Sequence, residues 1–201
     1  MAAPTSLERL VMFTDAVVAI AITLLVLPLV DAVGHVGQAQ VPSVEVITDN
    51  QPQIYSFLLS FAVIARLWVV HRRLFDAADA DSRGLLFWNM AWLLTIVVLP
   101  FPTGMIGVYG DDRFTATVYV GAILASSICL TVLAFIIRGG ADVAGAVATT
   151  AILAVALLVV ALVPGVTYLA LLLLVLTRFV TRAVEPLLQR IRGAGPTGPA
   201  G

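Results

Sequence analysis

Six apolar stretches set along nearly the whole chain constrain its fold more than any other feature. A hydrocarbon core about 30 Å thick takes roughly 20 helical residues, and inside it each backbone polar group needs a partner within the protein. Long apolar stretches with at most one charge each therefore read as helices. They run over Leu10–Val30, Pro52–Val70, Leu85–Val108, Thr115–Ile137, Val143–Val163 and Val166–Val180. Only 11% of the 201 residues are charged and 61% are hydrophobic, whereas a soluble domain carries about 25% charged residues. The expected fold is an all-α membrane protein with six transmembrane helices. Pro164-Gly165 leaves the fifth and sixth spans joined by a tight turn, which makes them an antiparallel pair.

Arginine placement orients the bundle, because cytoplasmic loops carry the excess of basic residues. All eleven basic residues are Arg. One set of span ends holds Arg9, then Arg72, Arg73 and Arg83, then Arg138, then Arg182, Arg190 and Arg192; the opposite ends hold only Arg113. Both termini are thus expected in the cytoplasm, and the chain in the plasma membrane of a bacterial cell. The lack of Lys and the richness in Ala, Val and Gly fit a GC-rich bacterial genome. The first span reads as retained rather than as a cleaved leader, since Glu8 offsets the lone Arg9 and Asp15 interrupts the approach to the apolar run. Its outer connection, from Asp31 to Gln51, is the longest and carries Asp31, Glu45 and Asp49 without an Arg. Residues 1–185 read as the membrane domain, and the Gly/Pro-rich residues 186–201 as a disordered cytoplasmic tail.

The first span holds the least ordinary chemistry. It opens on Arg9-Leu10-Val11-Met12-Phe13-Thr14-Asp15, a guanidinium and a carboxylate at the mouth of an apolar helix. An ionised group in hydrocarbon costs at least about 2.5–3.5 kcal/mol, so it faces protein or water and has a partner. Beyond Asp15, helical spacing aligns Phe13, Ala16 or Val17, Ile20, Thr23 with Leu24, and Leu27 on one stripe, apolar apart from Thr23. Around an axis shared by several copies, such a stripe would stack rings able to gate by dewetting, with a hydroxyl ring replacing part of an ion's water shell. Periodicity alone better suits a helix packed on lipid or on another helix, since every membrane helix is apolar. Asp15 lies roughly 140° from Ile20 around the helix, so it points away from that stripe toward a partner in the protein. His71 at the end of the second span and Asn89 at the start of the third stand at the same depth, and Arg66 is a further partner for Asp15. Trp68, Trp88 and Trp92 suit interfacial anchors, and His71-Arg72-Arg73 equally suits an ordinary positive end. Pro28 should end or bend the first helix by freeing the Leu24 carbonyl, and Pro100, Pro102 and Gly104 should break the third.

The segment from Arg9 to Asp15 resembles the Arg-x-x-x-Phe-Ser-Asp signature of the transmembrane protein 175 family of potassium channels, with Thr14 where Ser is usual. The resemblance covers the six-span plan, and its specific motifs sit in the first three spans. It implies six-helix subunits assembled as homotetramers in the bilayer, with the first helix of each lining the pore. It also implies hydrophobic layers one, two and three turns beyond the signature, which fall on Ile20, on Thr23 or Leu24, and on Leu27. Further, it implies a Trp and His on the second helix and an Asn on the third near the signature, matching Trp68, His71 and Asn89.

The leading expectation is therefore a channel moderately selective for potassium over sodium, constricted by Ile20, Thr23, Leu24 and Leu27. Arg9, Phe13, Thr14, Asp15, Trp68, His71 and Asn89 would form the signature and its polar network. No Thr-Val-Gly-Tyr-Gly filter is present, which excludes a carbonyl-ring mechanism of the usual potassium-channel kind. The alternative is a small secondary or proton-coupled transporter with Asp15 and His71 as a titrating relay. An enzyme is not expected: the chain has no Gly-x-Ser-x-Gly or His-Glu-x-x-His, and His35 and His71 fall on opposite sides of the membrane. No cofactor and no metal beyond permeating potassium are expected, and no nucleic-acid partner; the lone Cys129 excludes a disulfide within the chain.

Overall fold

A computed structural model of the chain describes residues 5–37, 42–78, 82–110, 112–139 and 143–162. Their secondary structure is helical: α1 Ser6–Leu24, α2 Leu27–Gly37, α3 Ser43–Asp49, α4 Gln51–Phe75, α5 Arg83–Val98, α6 Pro100–Tyr109, α7 Arg113–Arg138 and α8 Ala144–Leu162. Among the described residues five runs are long and apolar enough to cross a bilayer: Ser6–Ala32, α4, Arg83–Tyr109, α7 and α8. The chain is an all-α, multi-pass membrane protein. These runs correspond to the first five expected spans, while Val166–Val180 and the tail 186–201 lie outside the described residues.

Local chemistry sets the helix ends. Thr5 and Glu8 close a reciprocal capping box on α1: Glu8 N–H donates to Thr5 Oγ1 at 3.2 Å, and Thr5 N–H donates to Glu8 Oε2 at 2.7 Å. Two otherwise orphaned amides are thereby satisfied. Ser82 caps α5 by accepting from Leu85 N–H, and Asp112 caps α7 by accepting from Thr115 N–H. Gly139 ends α7 at φ 58°, a left-handed geometry open to glycine, and its N–H closes on Phe135 O at 3.0 Å.

Both expected proline breaks are present. α1 stops at Leu24, the turn tightens through Leu25 N–H to Ile22 O and Val26 N–H to Thr23 O, and the chain re-enters helix at Leu27. Pro28 lacks the donor that would have reached Leu24 O, four residues back, so a continuous helix would leave that carbonyl unpaired. In the third span, α5 ends at Val98 and α6 restarts at Pro100. The outer connection differs from expectation. Helix continues through α2 as far as Gly37, and Ser43–Asp49 forms the short α3 behind Pro42.

α1 packs on α4 and α5, α4 on α6 and α7, α5 on α7, and α7 on α8. In lipid the hydrophobic effect does not press helices together, so close approach and interhelical hydrogen bonds must hold them. α1 buries Thr14, Val18 and Ala21, all small or β-branched, against its neighbours. A buried hydroxyl cluster joins α4, α6 and α7: Ser60 Oγ lies 3.0 Å from Tyr119 Oη and 2.8 Å from Thr103 Oγ1. A second, half-buried, joins α7 to α8, where Thr150 Oγ1 is 2.8 Å from both Ser127 Oγ and Thr131 Oγ1. α6 comes close to α4 at Gly107, where an added Cβ would come within 3.1 Å of Gln53 Cα and of Ser56 Oγ. Gly107→Val is therefore expected to destabilise the folded protein by about 1–3 kcal/mol through overpacking against backbone. A lowered midpoint of thermal unfolding in detergent would show it, whereas an unchanged midpoint would mean that α4 and α6 are not held this close.

Candidate functional site

The polar residues near the start of the first span meet across three helices. Thr14 Oγ1 donates to Leu10 O one turn back at 2.8 Å, as a helical threonine commonly does. Its oxygen then accepts from Asn89 Nδ2 at 2.9 Å. The other side of the Asn89 amide, Oδ1, lies 2.7 Å from His71 Nε2. With Oδ1 an acceptor only, the proton in that contact belongs to the imidazole, which sets the histidine as the Nε2–H tautomer. The result is a directed chain, His71 to Asn89 to Thr14 to the Leu10 carbonyl, crossing α4, α5 and α1. All three side chains are fully buried.

Aromatic rings hold the imidazole in place. His71 stacks between Phe75 and Trp92, with ring centroids 4.2 Å away on each side and interplanar angles of 23° and 12°. Phe75 stands one turn beyond His71 on α4, and Trp92 stands one turn beyond Asn89 on α5, so helical spacing delivers both. Trp92 is fully buried, which corrects its expected role as an interfacial anchor. Imidazole Nδ1 is buried with no partner among the described atoms.

Asp15 bonds to another member of the anticipated network, Trp68, and not to His71 or Asn89. Its Oδ1 accepts from Trp68 Nε1 at 2.7 Å, and the Arg72 guanidinium lies 5.4 Å over the Trp68 ring. The expected network of Asp15 with His71 and Asn89 is thus divided into two neighbouring hydrogen-bonded sets. A relay between Asp15 and His71 has no direct hydrogen bond to travel along.

These contacts fix which way α1 faces. Thr14, Val18, Ala21 and Leu25 recur at helical spacing and are buried. The opposite face carries Phe13, Ile20, Thr23 and Leu27, all exposed in the single subunit, with Ile20 at 60% and Leu27 at 52%. Leu24 lies at the edge of that face, at 38%. Thr23 Oγ1 donates back to Ile20 O at 2.7 Å, so its hydrogen is engaged within the helix. Arg9, also exposed, lines a groove with Phe13 and with Arg83 and Met90 of α5.

The same contacts gather the arginines. The starts of α1 and α5 line one groove, the end of α4 reaches both through Trp68 and His71, and Gly84 lies against Ile136 near the end of α7. Arg9, Arg72, Arg73, Arg83 and Arg138 therefore share one end of the bundle. Among the described residues no three His, Cys, Asp or Glu side chains come together in a way that could hold a metal ion.

Sequence reasoning missed the capping box, although Thr-x-x-Glu ahead of an apolar run is its signal. It also missed Trp92 and Phe75 as ring partners of His71. The i, i+3 step from Asn89 to Trp92 and the i, i+4 step from His71 to Phe75 carried that information.

If Asn89 is replaced by Leu, Thr14 and His71 each lose a partner while staying buried. Such interhelical bonds average about 0.6 kcal/mol in membranes, and a stranded polar group costs about 1–3 kcal/mol. Asn89→Leu is expected to destabilise by about 1–3 kcal/mol, and Thr14→Ser by much less, because Ser restores both roles. Equilibrium unfolding in mixed micelles measures both, and equal losses for the two variants would contradict the hydrogen-bond chain.

Comparison with known proteins gives a concordant result. Residues 9–100 match the family model described as the endosomal/lysosomal potassium channel TMEM175. A potassium channel of Chamaesiphon minutus is 36% identical over 123 residues, covering 60% of each chain. One from Streptomyces collinus is 34% identical over 110 residues, covering 52% of this chain and 50% of that one. The human protein named endosomal/lysosomal proton channel TMEM175 is 26% identical over 104 residues, covering 52% of this chain and 20% of its own. The alignments thus span about half to three-fifths of the bacterial relatives. In structure, the chain is similar to the crystal structure of a lysosomal potassium-selective channel TMEM175 homolog from Chamaesiphon minutus. There the TM-score is 0.71 at 28% identity, over 85% of this chain and 95% of that one. The names these relatives carry are those of channels, not of enzymes.

Proposed function

From a chain that resembles the TMEM175 channels in sequence over its first three spans and in fold over most of its length, we propose a cation channel that prefers potassium. Several copies, four by the family resemblance, surround an axis lined by α1. The observation that carries this reading is the division of α1 into two faces. One face is pinned to α4 and α5 through Thr14, Val18, Ala21 and Leu25, while Ile20, Thr23 and Leu27 remain uncovered on the other. One first helix cannot enclose a pore, so the reading requires an oligomer.

In such an assembly Ile20 forms the main constriction, Thr23 and Leu24 the middle layer and Leu27 the outer one. Aliphatic rings resist an ion by making its dehydration uncompensated, and they gate by wetting and dewetting. The Thr23 layer differs in chemistry. Its hydroxyl hydrogen is directed to Ile20 O, so what the ring offers the axis is oxygen lone pairs, which favour cations over anions. Asp15 is held by Trp68, off the pathway, and no fixed carboxylate stands in the constriction. Selectivity then rests on few oxygens, and the preference of potassium over sodium is moderate. The channel acts passively, in a multi-pass arrangement in the plasma membrane with the arginine-rich end in the cytoplasm, where both termini also lie. Residues 1–185 make up the channel domain, and no cofactor is required.

The purified protein in a planar bilayer, with potassium and sodium on opposite sides, tests the function. Reversal shifted toward the potassium equilibrium potential is the expected result, and folded, inserted protein that passes no unitary current would refute it. Widening the constriction by Ile20→Ala is expected to raise unitary conductance several-fold. Unchanged conductance in that variant would remove Ile20 from the narrowest point.

A further inference from the structure

Leu27 belongs to the same stripe as Ile20, yet different contacts hold it. The pinned face of α1 ends at Leu25, which is buried, while Val26 and Leu27 after it are exposed. Two bonds close the turn between the helices, Leu25 N–H to Ile22 O and Val26 N–H to Thr23 O, each 3.3 Å long. Both reach back three residues instead of four, and both exceed the usual backbone length of about 2.9–3.0 Å. Past the turn, the Leu29 and Val30 amides return to Val26 O, and Pro28 has no N–H to give Leu24 O. The rotation that Thr14 imposes on α1 is therefore poorly transmitted to α2 through the backbone.

The seat of α2 is on α6 instead. A Cβ built on Gly104 would lie 3.6 Å from Pro28 Cγ, so the proline ring rests on a stretch of α6 that carries no side chain. That stretch is firmly supported. Thr103 beside it bonds Ser60 of α4 at 2.8 Å, and Gly107 one turn on lies against the Gln53 backbone. Packing of α2 on its other neighbours is more open: Leu29 and Ala32 share a groove of about 160 Å³ with Ile47 of α3 and Ile54 of α4.

We propose that Gly104 is a positioning residue for Leu27. It seats Pro28, and α2 pivots on the Leu25–Val26 turn against that seat, so the Leu27 layer opens and closes apart from the Ile20 layer. A tightened turn of this kind inside a span often marks a hinge, and hinges fall at the ends of elements. Glycine suits the seat because an alanine methyl would only touch the proline ring, whereas a longer side chain would take its place and push α2 away. The inference rests on the reading of Ile20 and Leu27 as pore layers, but hinge and seat can be measured without current.

Electron–electron double resonance between two spin labels on one chain tests it, in nanodiscs and with an excess of unlabelled subunits. Asp31→Cys on α2 paired with Phe114→Cys on α7 follows the outer segment, and Met12→Cys on α1 paired with Phe114→Cys follows the inner one. All three sites are exposed, and both pairs are built on Cys129→Ser. Gly104→Leu is expected to shift the outer distance and leave the inner one unchanged, and Gly104→Ala to shift neither. Movement of both distances by Gly104→Leu, or of neither, would overturn the proposal. Pro28→Ala decides the matter if Gly104→Leu does not fold, since it returns a donor to Leu24 O and takes the ring off the seat. It is expected to shift and narrow the outer distribution alone, and a wild-type outer distribution would overturn the hinge. Outer-only shifts in a protein that passes no current would support the hinge and count against the pore reading. A conducting protein whose two distances move together would count against the hinge only.

Discussion

The hydrogen-bond chain from His71 through Asn89 and Thr14 to the Leu10 carbonyl orders the rest of this structure. In a bilayer the lipid is as apolar as the helix surfaces, so side-chain hydrophobicity gives α1 little reason to prefer one rotation over another. A buried threonine that must meet a buried asparagine supplies that reason. Once Thr14 faces Asn89, the positions one, two and three turns on, Val18, Ala21 and Leu25, face inward too, and Ile20 has to face outward. Aromatic stacking on both sides of His71 immobilises the far end of the chain.

The division of labour between half-buried carboxylate and exposed stripe follows from the same geometry. Asp15 sits beside the hydrogen-bond chain and accepts from Trp68, whose ring also carries Arg72. A charge that would be costly in hydrocarbon is thereby used to tie α1 to α4, leaving the proposed ion path lined by aliphatic groups and one layer of hydroxyl oxygens. The Leu25–Val26 turn before Pro28 ends α1 just past Leu24 and sets Leu27 at the start of α2. The outermost proposed layer thus stands on a separate helical segment from Ile20 and Thr23.

The sequence made the helical, membrane-spanning architecture legible because the hydropathy signal is long and the bilayer demands helices. Both proline breaks were legible for an equally direct reason, the missing N–H. Asp15, His71 and Asn89 were legible as a group, since polar residues at one depth in apolar spans must find partners, whereas Thr14 and Trp68 joined them only through the family resemblance. Their pairing was not, because depth says nothing about rotation: Asp15 was expected to meet His71 and Asn89, and it meets Trp68. Trp92 was misassigned for a related reason, as an aromatic near a span end suits the interface and a buried stack alike until its ring partner is known. The α3 helix escaped notice because seven residues behind a proline carry too short a pattern to separate from a loop. The two small hydroxyl clusters within the bundle likewise depend on which helices are neighbours, and spacing along one helix does not carry that.

The central claim is that the uncovered face of α1, and not its pinned face, lines the ion path. Single cysteines placed at Ile20, Leu27 and Val18 in a Cys129→Ser background, each exposed to Ag⁺ during bilayer recording, test it most directly. The account predicts irreversible loss of current for Ile20→Cys and Leu27→Cys and undisturbed current for Val18→Cys. Block at Val18→Cys with Ile20→Cys untouched would contradict it.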